Sequence, residues 1–128
     1  MELKKKILSV DDSSVIRKII RSAVEVLKYD LLEASDGEEA ISILNKEENE
    51  DIRLILLDWN MPGMNGLDFL KAVKNHPVFR NIPVMMVTTE SEKGNIIKAV
   101  QAGVSNYLIK PFNTEELIKK IMQCIREE

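Results

Sequence analysis

The sequence predicts a doubly wound α/β domain: a five-stranded parallel sheet covered by five helices. Short apolar runs rich in Ile, Leu and Val alternate with longer stretches of helical period, five times over the chain. Turn formers or helix caps mark most of the junctions. Three runs end directly on charge: Ile7-Leu8-Ser9-Val10 on Asp11-Asp12, Ile52 to Leu57 on Asp58, and Tyr107-Leu108-Ile109 on Lys110. In open parallel sheets, functional groups collect at the carboxyl ends of the strands, so these charges should share one small volume.

The first strand is expected from about Lys5 to Val10. The first helix starts near Ser14, read as its N-cap, with Val15, Ile16, Ile19, Ile20, Ala23, Val24 and Leu27 at helical spacing. A short second strand covers Asp30 to Ala34, and Asp36-Gly37 turns the chain into a helix with apolar Ala40, Ile41 and Leu44. The third strand is Ile52 to Leu57; Met61-Pro62-Gly63 marks a loop before a helix bearing Leu67, Phe69, Leu70 and Val73. The fourth strand is Ile82 to Val87, with Thr88 at its end, and its helix runs from near Ser91 to Gly103, where glycine can adopt the left-handed closing conformation. The last strand is Asn106 to Ile109. The last helix is capped near Asn113 or Thr114, with Leu117, Ile118, Ile121, Met122 and Ile125 on one face. Right-handed crossovers place helices on both faces of the sheet.

At 128 residues, 45% apolar and 30% charged, the chain suits one soluble domain, residues 1–128, with no output module after the last helix. A net charge of −3 gives no general attraction to nucleic acid or anionic lipid. No apolar stretch approaches the ~20 residues that span a bilayer. The basic start, Met1 to Lys6, lacks the apolar stretch and cleavage site of a signal peptide, so a cytoplasmic protein is expected. Cys124 is the sole cysteine, excludes an internal disulfide, and reads as a packed thiol.

Gathering Asp11, Asp12 and Asp58 needs a compensating cation. Two unit charges ~4 Å apart repel by about 4 kcal/mol at moderate effective dielectric. An all-oxygen set favours a hard ion such as Mg²⁺, with Asn60 adding a backbone carbonyl. Lys110 supplies a point charge for a phosphoryl oxygen, and Thr88 supplies a hydroxyl. These parts describe an acyl-phosphate site with Asp58 as nucleophile.

An acidic pair after the first strand, Asp58 after the third, Thr88 after the fourth and Lys110-Pro111 after the fifth resemble the receiver domain of two-component response regulators. The stretches Asp58 to Pro62, Thr88 to Glu90, Asn95 to Gly103 and Tyr107 to Phe112 are similar to the chemotaxis branch of that family. The resemblance covers nearly the whole chain. It implies a flavodoxin-like sheet in strand order 2-1-3-4-5 and a phosphoryl group accepted on Asp58 from a sensor histidine kinase. It also implies Mg²⁺ held by Asp11, Asp12, Asp58 and the Asn60 carbonyl, with Lys110 and Thr88 on the phosphoryl group, and Thr88 and Tyr107 as a coupled switch pair. Asn60 and Glu90 would influence how fast water attacks the acyl phosphate. Thr89 and Gly94 stand out: the first adds bulk where many receivers carry Ala or Gly, and the second weakens the start of the fourth helix.

The expected output face is the fourth helix, fifth strand and fifth helix. Ile96 and Ile97 cannot both point fully into the core, so Ile96, Tyr107 and Lys120 are the candidate contacts for a flagellar motor switch protein or another output protein, with a phosphatase as a further partner. The chain is expected to be a monomer. His76 reads as a solvated loop residue, Trp59 as a partly exposed ring beside the pocket, and at least one of Met85 and Met86 as core. Two other jobs remain for the same pocket. One is a phosphorelay or kinase-regulating receiver. The other is an aspartyl-phosphate phosphohydrolase, less favoured because Asn60 stands where such enzymes place a general acid. A flavin carrier is disfavoured, since Asp11-Asp12 would repel a phosphate after the first strand.

Overall fold

A computed structural model describes residues 5–125; the basic start through Lys4 and the last three residues lie outside that range. The elements are β1 (Lys6–Val10), α1 (Ser14–Val26), β2 (Asp30–Ala34), α2 (Gly37–Leu44), a short 3-10 turn (Glu47–Asn49), β3 (Ile52–Leu57), α3 (Gly66–Lys74), β4 (Val84–Thr88), α4 (Lys93–Gln101), β5 (Asn106–Ile109) and α5 (Thr114–Cys124). All strand pairs are parallel, in order β2-β1-β3-β4-β5.

Strand side chains alternate between two cores. Leu8, Val10, Ile55, Leu57 and Met86 meet Ala40 and Leu44 of α2, Phe69, Leu70 and Val73 of α3, and Ala99 of α4. On the other face Ile7, Leu54, Leu56, Met85 and Val87 meet Ile20, Ala23 and Val24 of α1 and Leu117 and Ile121 of α5. Both Met85 and Met86 are therefore core, one on each face.

Several boundaries differ from expectation. Ser13, not Ser14, caps α1: its backbone is extended and its hydroxyl accepts from the Ile16 amide at 3.5 Å. β1 starts at Lys6 and β4 at Val84, just after Pro83, which has no N–H to give to the ladder. α4 starts at Lys93, with Glu92 at the N-cap and no side-chain cap. The preceding loop spends its polar groups elsewhere: the Glu90 amide donates to Thr88 Oγ1 and the Glu90 carbonyl accepts from Tyr107. At its far end α4 closes as expected, with Gly103 at φ +103°. Val15 and Met122, assigned to apolar faces, are 68% and 59% exposed, because each lies on the flank of its helix's buried stripe. α5 carries a full capping box: the Glu116 amide donates to Asn113 Oδ1 at 2.8 Å and the Asn113 amide to Glu116 Oε1 at 3.4 Å.

Candidate functional site

Register builds the site. Val10 pairs with both Ala34 and Leu57, so the residues after them emerge side by side at the carboxyl edge. The Asp11 amide donates to the Ala34 carbonyl and the Asp58 amide to the Val10 carbonyl, each at 3.0 Å. Thr88 pairs with Ile109, and the Lys110 amide donates to the Thr88 carbonyl at 2.9 Å. Asp11, Asp58, Thr88 and Lys110 thus come to the same edge of neighbouring strands.

Carboxylate oxygens of Asp11, Asp12 and Asp58 lie within 4.8 Å of one another. Asp11 and Asp58 are buried, whereas Asp12 is exposed. The Lys110 ammonium reaches between the buried pair, 2.9 Å from Asp11 Oδ2 and 3.5 Å from Asp58 Oδ2. Asp11 Oδ1 accepts from the Ser13 amide at 2.8 Å, and Asp58 Oδ1 accepts from the Asn60 amide at 3.2 Å. Burial raises the Asp11 carboxyl above its ordinary value; the Ser13 amide and Lys110 oppose that shift, and the Asp58 charge adds to it. The donor set is all oxygen and more anionic than one lysine can balance, which fits a hard divalent cation such as Mg²⁺. Asn60 is exposed and tied to Asp58 through its amide; the carbonyl expected to serve a cation belongs to the same turn.

A second set of contacts runs from Thr88 to α4. Thr88 is fully buried, and its Oγ1 accepts from the Glu90 amide at 3.2 Å. The half-buried Tyr107 donates its hydroxyl to the Glu90 carbonyl at 2.7 Å. Burial, then the charges of Glu90 and Asp58, push the Tyr107 phenol up to about 12. Asn95 Nδ2 donates to Glu90 Oε1 at 2.6 Å. Glu90, expected only at the mouth of the site, therefore joins Thr88 and Tyr107 to the first turn of α4. The clue in the sequence was its spacing of two from Thr88; the partner Asn95 carried no such signal.

On the expected output face the two isoleucines are exchanged. Ile96 is half-buried, and Ile97 is the one turned outward, at 47% exposure, with Val100 at 60%. The period of α4 decides this: Ala99 takes the inward position, three residues from Ile96. Lys120 is half-buried, with Nζ 3.5 Å from Asn106 Oδ1. Trp59 is half-buried against the α2–α4 core, beside Asp58 as expected. His76 is less solvated than expected: Nδ1 accepts from the amides of Val78 (3.0 Å) and Phe79 (3.4 Å), and the ring stacks on Phe79 at 4.0 Å. Cys124 packs against the α1–α5 core, and burial raises its thiol. Gly66 and Arg17 also touch the site's backbone, although no motif or period in the sequence marks either.

A parallel sheet in this order, with carboxylates after β1 and β3 facing a lysine after β5, defines the class of response regulator receiver domains. The family model for the response regulator receiver domain matches residues 7–122, and the chain belongs to that family. It is 45% identical over 117 residues to a chemotaxis protein CheY homolog of Campylobacter jejuni, covering 91% of this chain and 88% of the relative. It is 46% identical to chemotaxis protein CheY1 of Helicobacter pylori, covering 91% and 93%. Among solved structures, chemotaxis response regulator CheY4 of Vibrio cholerae superimposes with a TM-score of 0.84 at 33% identity, covering 94% of this chain and 98% of that one.

Proposed function

We propose that this chain is a cytoplasmic receiver that takes a phosphoryl group on Asp58 from a histidine kinase and reports it to a chemotaxis output protein, the flagellar motor switch being the favoured partner. One observation carries the reading: the Lys110 ammonium lies between two buried carboxylates, with a third carboxylate within reach. The names of the relatives supply the chemotaxis setting. Among the described residues no helix is long and apolar enough to cross a membrane.

An Asp58 carboxylate oxygen attacks phosphorus in line, and the P–N bond to the kinase imidazole breaks as the imidazole takes up a proton. Mg²⁺ held by Asp11, Asp12, Asp58 and the Asn60 carbonyl would neutralise phosphoryl oxygens. Lys110 leaves its ion pairs to face a phosphoryl oxygen, because the phosphoryl group carries more charge than the free carboxylate did. Thr88 turns its hydroxyl to another phosphoryl oxygen and gives up the Glu90 amide. Positioning and charge balance do most of the work. The rearranged Thr88–Glu90–Tyr107 set shifts α4 and β5, changing the surface offered to the partner. Hydrolysis of the acyl phosphate returns the carboxylate, and no other substrate is turned over.

Intact mass after incubation with acetyl phosphate and Mg²⁺ tests the chemistry. One added phosphoryl on the parent, and none on Asp58→Asn, is expected. Equal uptake by both chains, or turnover of a generic phosphomonoester, rejects the proposal.

A further inference from the structure

We infer that Arg17 is a positioning residue for the cation site, fixing the peptide between Asp11 and Asp12 and so placing the Asp12 carboxylate. The inference rests on the reading of the acidic pocket as a cation site.

Arg17 stands in the first turns of α1, half-buried. Its Nε and Nη2 both point at the Asp11 carbonyl oxygen, each at 3.3 Å. Nη2 also donates to Ser35 Oγ at 2.7 Å, just past β2, and Nε lies 3.7 Å from Glu33 Oε2. Glu33 is itself steered by Arg21, whose Nε and Nη2 reach Glu33 Oε1 at 3.1 and 2.9 Å. Glu33 Oε2 is buried without a hydrogen bond, so the Arg17 charge is what faces it. One guanidinium therefore joins α1, the β1–α1 loop and the end of β2. A planar fork of five donors can hold a carbonyl, a hydroxyl and a carboxylate at once; an ammonium cannot span them.

The carbonyl it holds belongs to the peptide that leads into Asp12. Asp11 has anchors of its own: its amide on Ala34, Oδ1 on the Ser13 amide, and Oδ2 on Lys110. The Asp12 side chain is exposed and, among the described residues, has no hydrogen bond or ion pair. A peptide unit is planar, so holding its oxygen fixes the plane from which the Asp12 Cα and side chain depart. Mg²⁺ requires near-octahedral oxygens at short range, and a rotated plane would carry the Asp12 oxygen off its vertex. Residues that orient metal ligands typically govern affinity by about 10–100-fold.

The test is Mg²⁺ affinity by calorimetry on the full chain, with urea melts in the absence of metal. Arg17→Met is expected to weaken Mg²⁺ binding about tenfold or more. Arg17→Lys keeps the charge and loses the fork, and is expected to weaken binding to a similar degree. A residue that merely pins α1 to β2 would lower the urea midpoint and leave affinity alone. Parent-like affinity in Arg17→Met overturns the inference; should that variant not fold, parent-like affinity in Arg17→Lys does so. A parent chain that takes up no Mg²⁺ overturns the cation-site reading itself, and the role of Arg17 with it. Normal uptake by the parent with unchanged variants overturns the role of Arg17 alone.

Discussion

Gly66→Ala tests how tightly the phosphoacceptor loop is set. Gly66 opens α3 beneath the turn that follows β3, and its amide donates to the Trp59 carbonyl at 2.8 Å. A methyl there would press into the Asp58 carbonyl oxygen and stand 2.7 Å from Trp59 Cα and 3.0 Å from the Asp58 carbonyl carbon. Carbon atoms rest at about 3.5–4.0 Å, so the loop and the helix must part by most of an ångström. The obstructing atoms are backbone and cannot swing aside. Overpacking of this kind costs about 1–3 kcal/mol, and the strained Gly66 hydrogen bond adds about 1 kcal/mol. The expected loss is therefore about 3 kcal/mol, or a fall in Tm of about 10 °C for a chain of this size. The same displacement moves Asp58 relative to Lys110, and misplacement on that scale costs about 100-fold in rate. Urea melts and acetyl-phosphate time courses read by intact mass give both numbers. Gly94→Ala is the control: no atom lies within 4 Å of its added methyl, and helix propensity predicts a gain of up to about 1 kcal/mol. Stability of Gly66→Ala within about 0.5 kcal/mol of the parent, with unchanged uptake, would refute the reasoning.

Other outcomes follow from the same geometry. Mg²⁺ at a hundred times its dissociation constant should stabilise the parent by about 2.7 kcal/mol, and an Asp11→Asn/Asp12→Asn double variant should show no such gain in thermal melts. The Tyr107 phenol, raised from 10.0 to about 12, keeps its proton in the folded chain after an unfolded chain has lost it. Its contribution to stability is therefore full below pH 10 and disappears as pH climbs from 10 to 12; the difference in phenolate absorbance between the parent and Tyr107→Phe measures the titration. Asn113→Ala removes half of the α5 capping box and should cost about 1 kcal/mol in a urea melt. Ile96→Ser should lower stability, whereas Ile97→Ser should change it by less than about 0.5 kcal/mol and weaken capture of the output protein.

Much of this architecture was legible in the residues because local signals agreed. The strands Asp30–Ala34, Ile52–Leu57 and Asn106–Ile109 fall at their expected bounds to the residue. The charged strand ends converge as expected, because parallel register leaves little freedom in where Asp11, Asp58 and Lys110 emerge. What could not be read depends on atoms brought together by tertiary structure. Ser13 and Ser14 are equivalent as letters, and only the path of the chain after Asp11 decides which hydroxyl meets an amide. Ile96 and Ile97 differ by one step of helical rotation, which the packing of Ala99 settles. Arg17 looks like any solvated helix charge until β1 and β2 are aligned and set Ser35 beside Asp11. Gly66 matters only because the start of its own loop, Asp58 and Trp59, folds back onto it.

The thin seating of α4 has a consequence of its own. Ala99 is its only fully buried residue, and its entry has no side-chain cap. Such an element can breathe independently of the rest, with its amide hydrogens exchanging through openings far cheaper than global unfolding. A chemical event of only modest driving force can therefore reset it, and the loosest shingle on the roof is the one that lifts in a light wind.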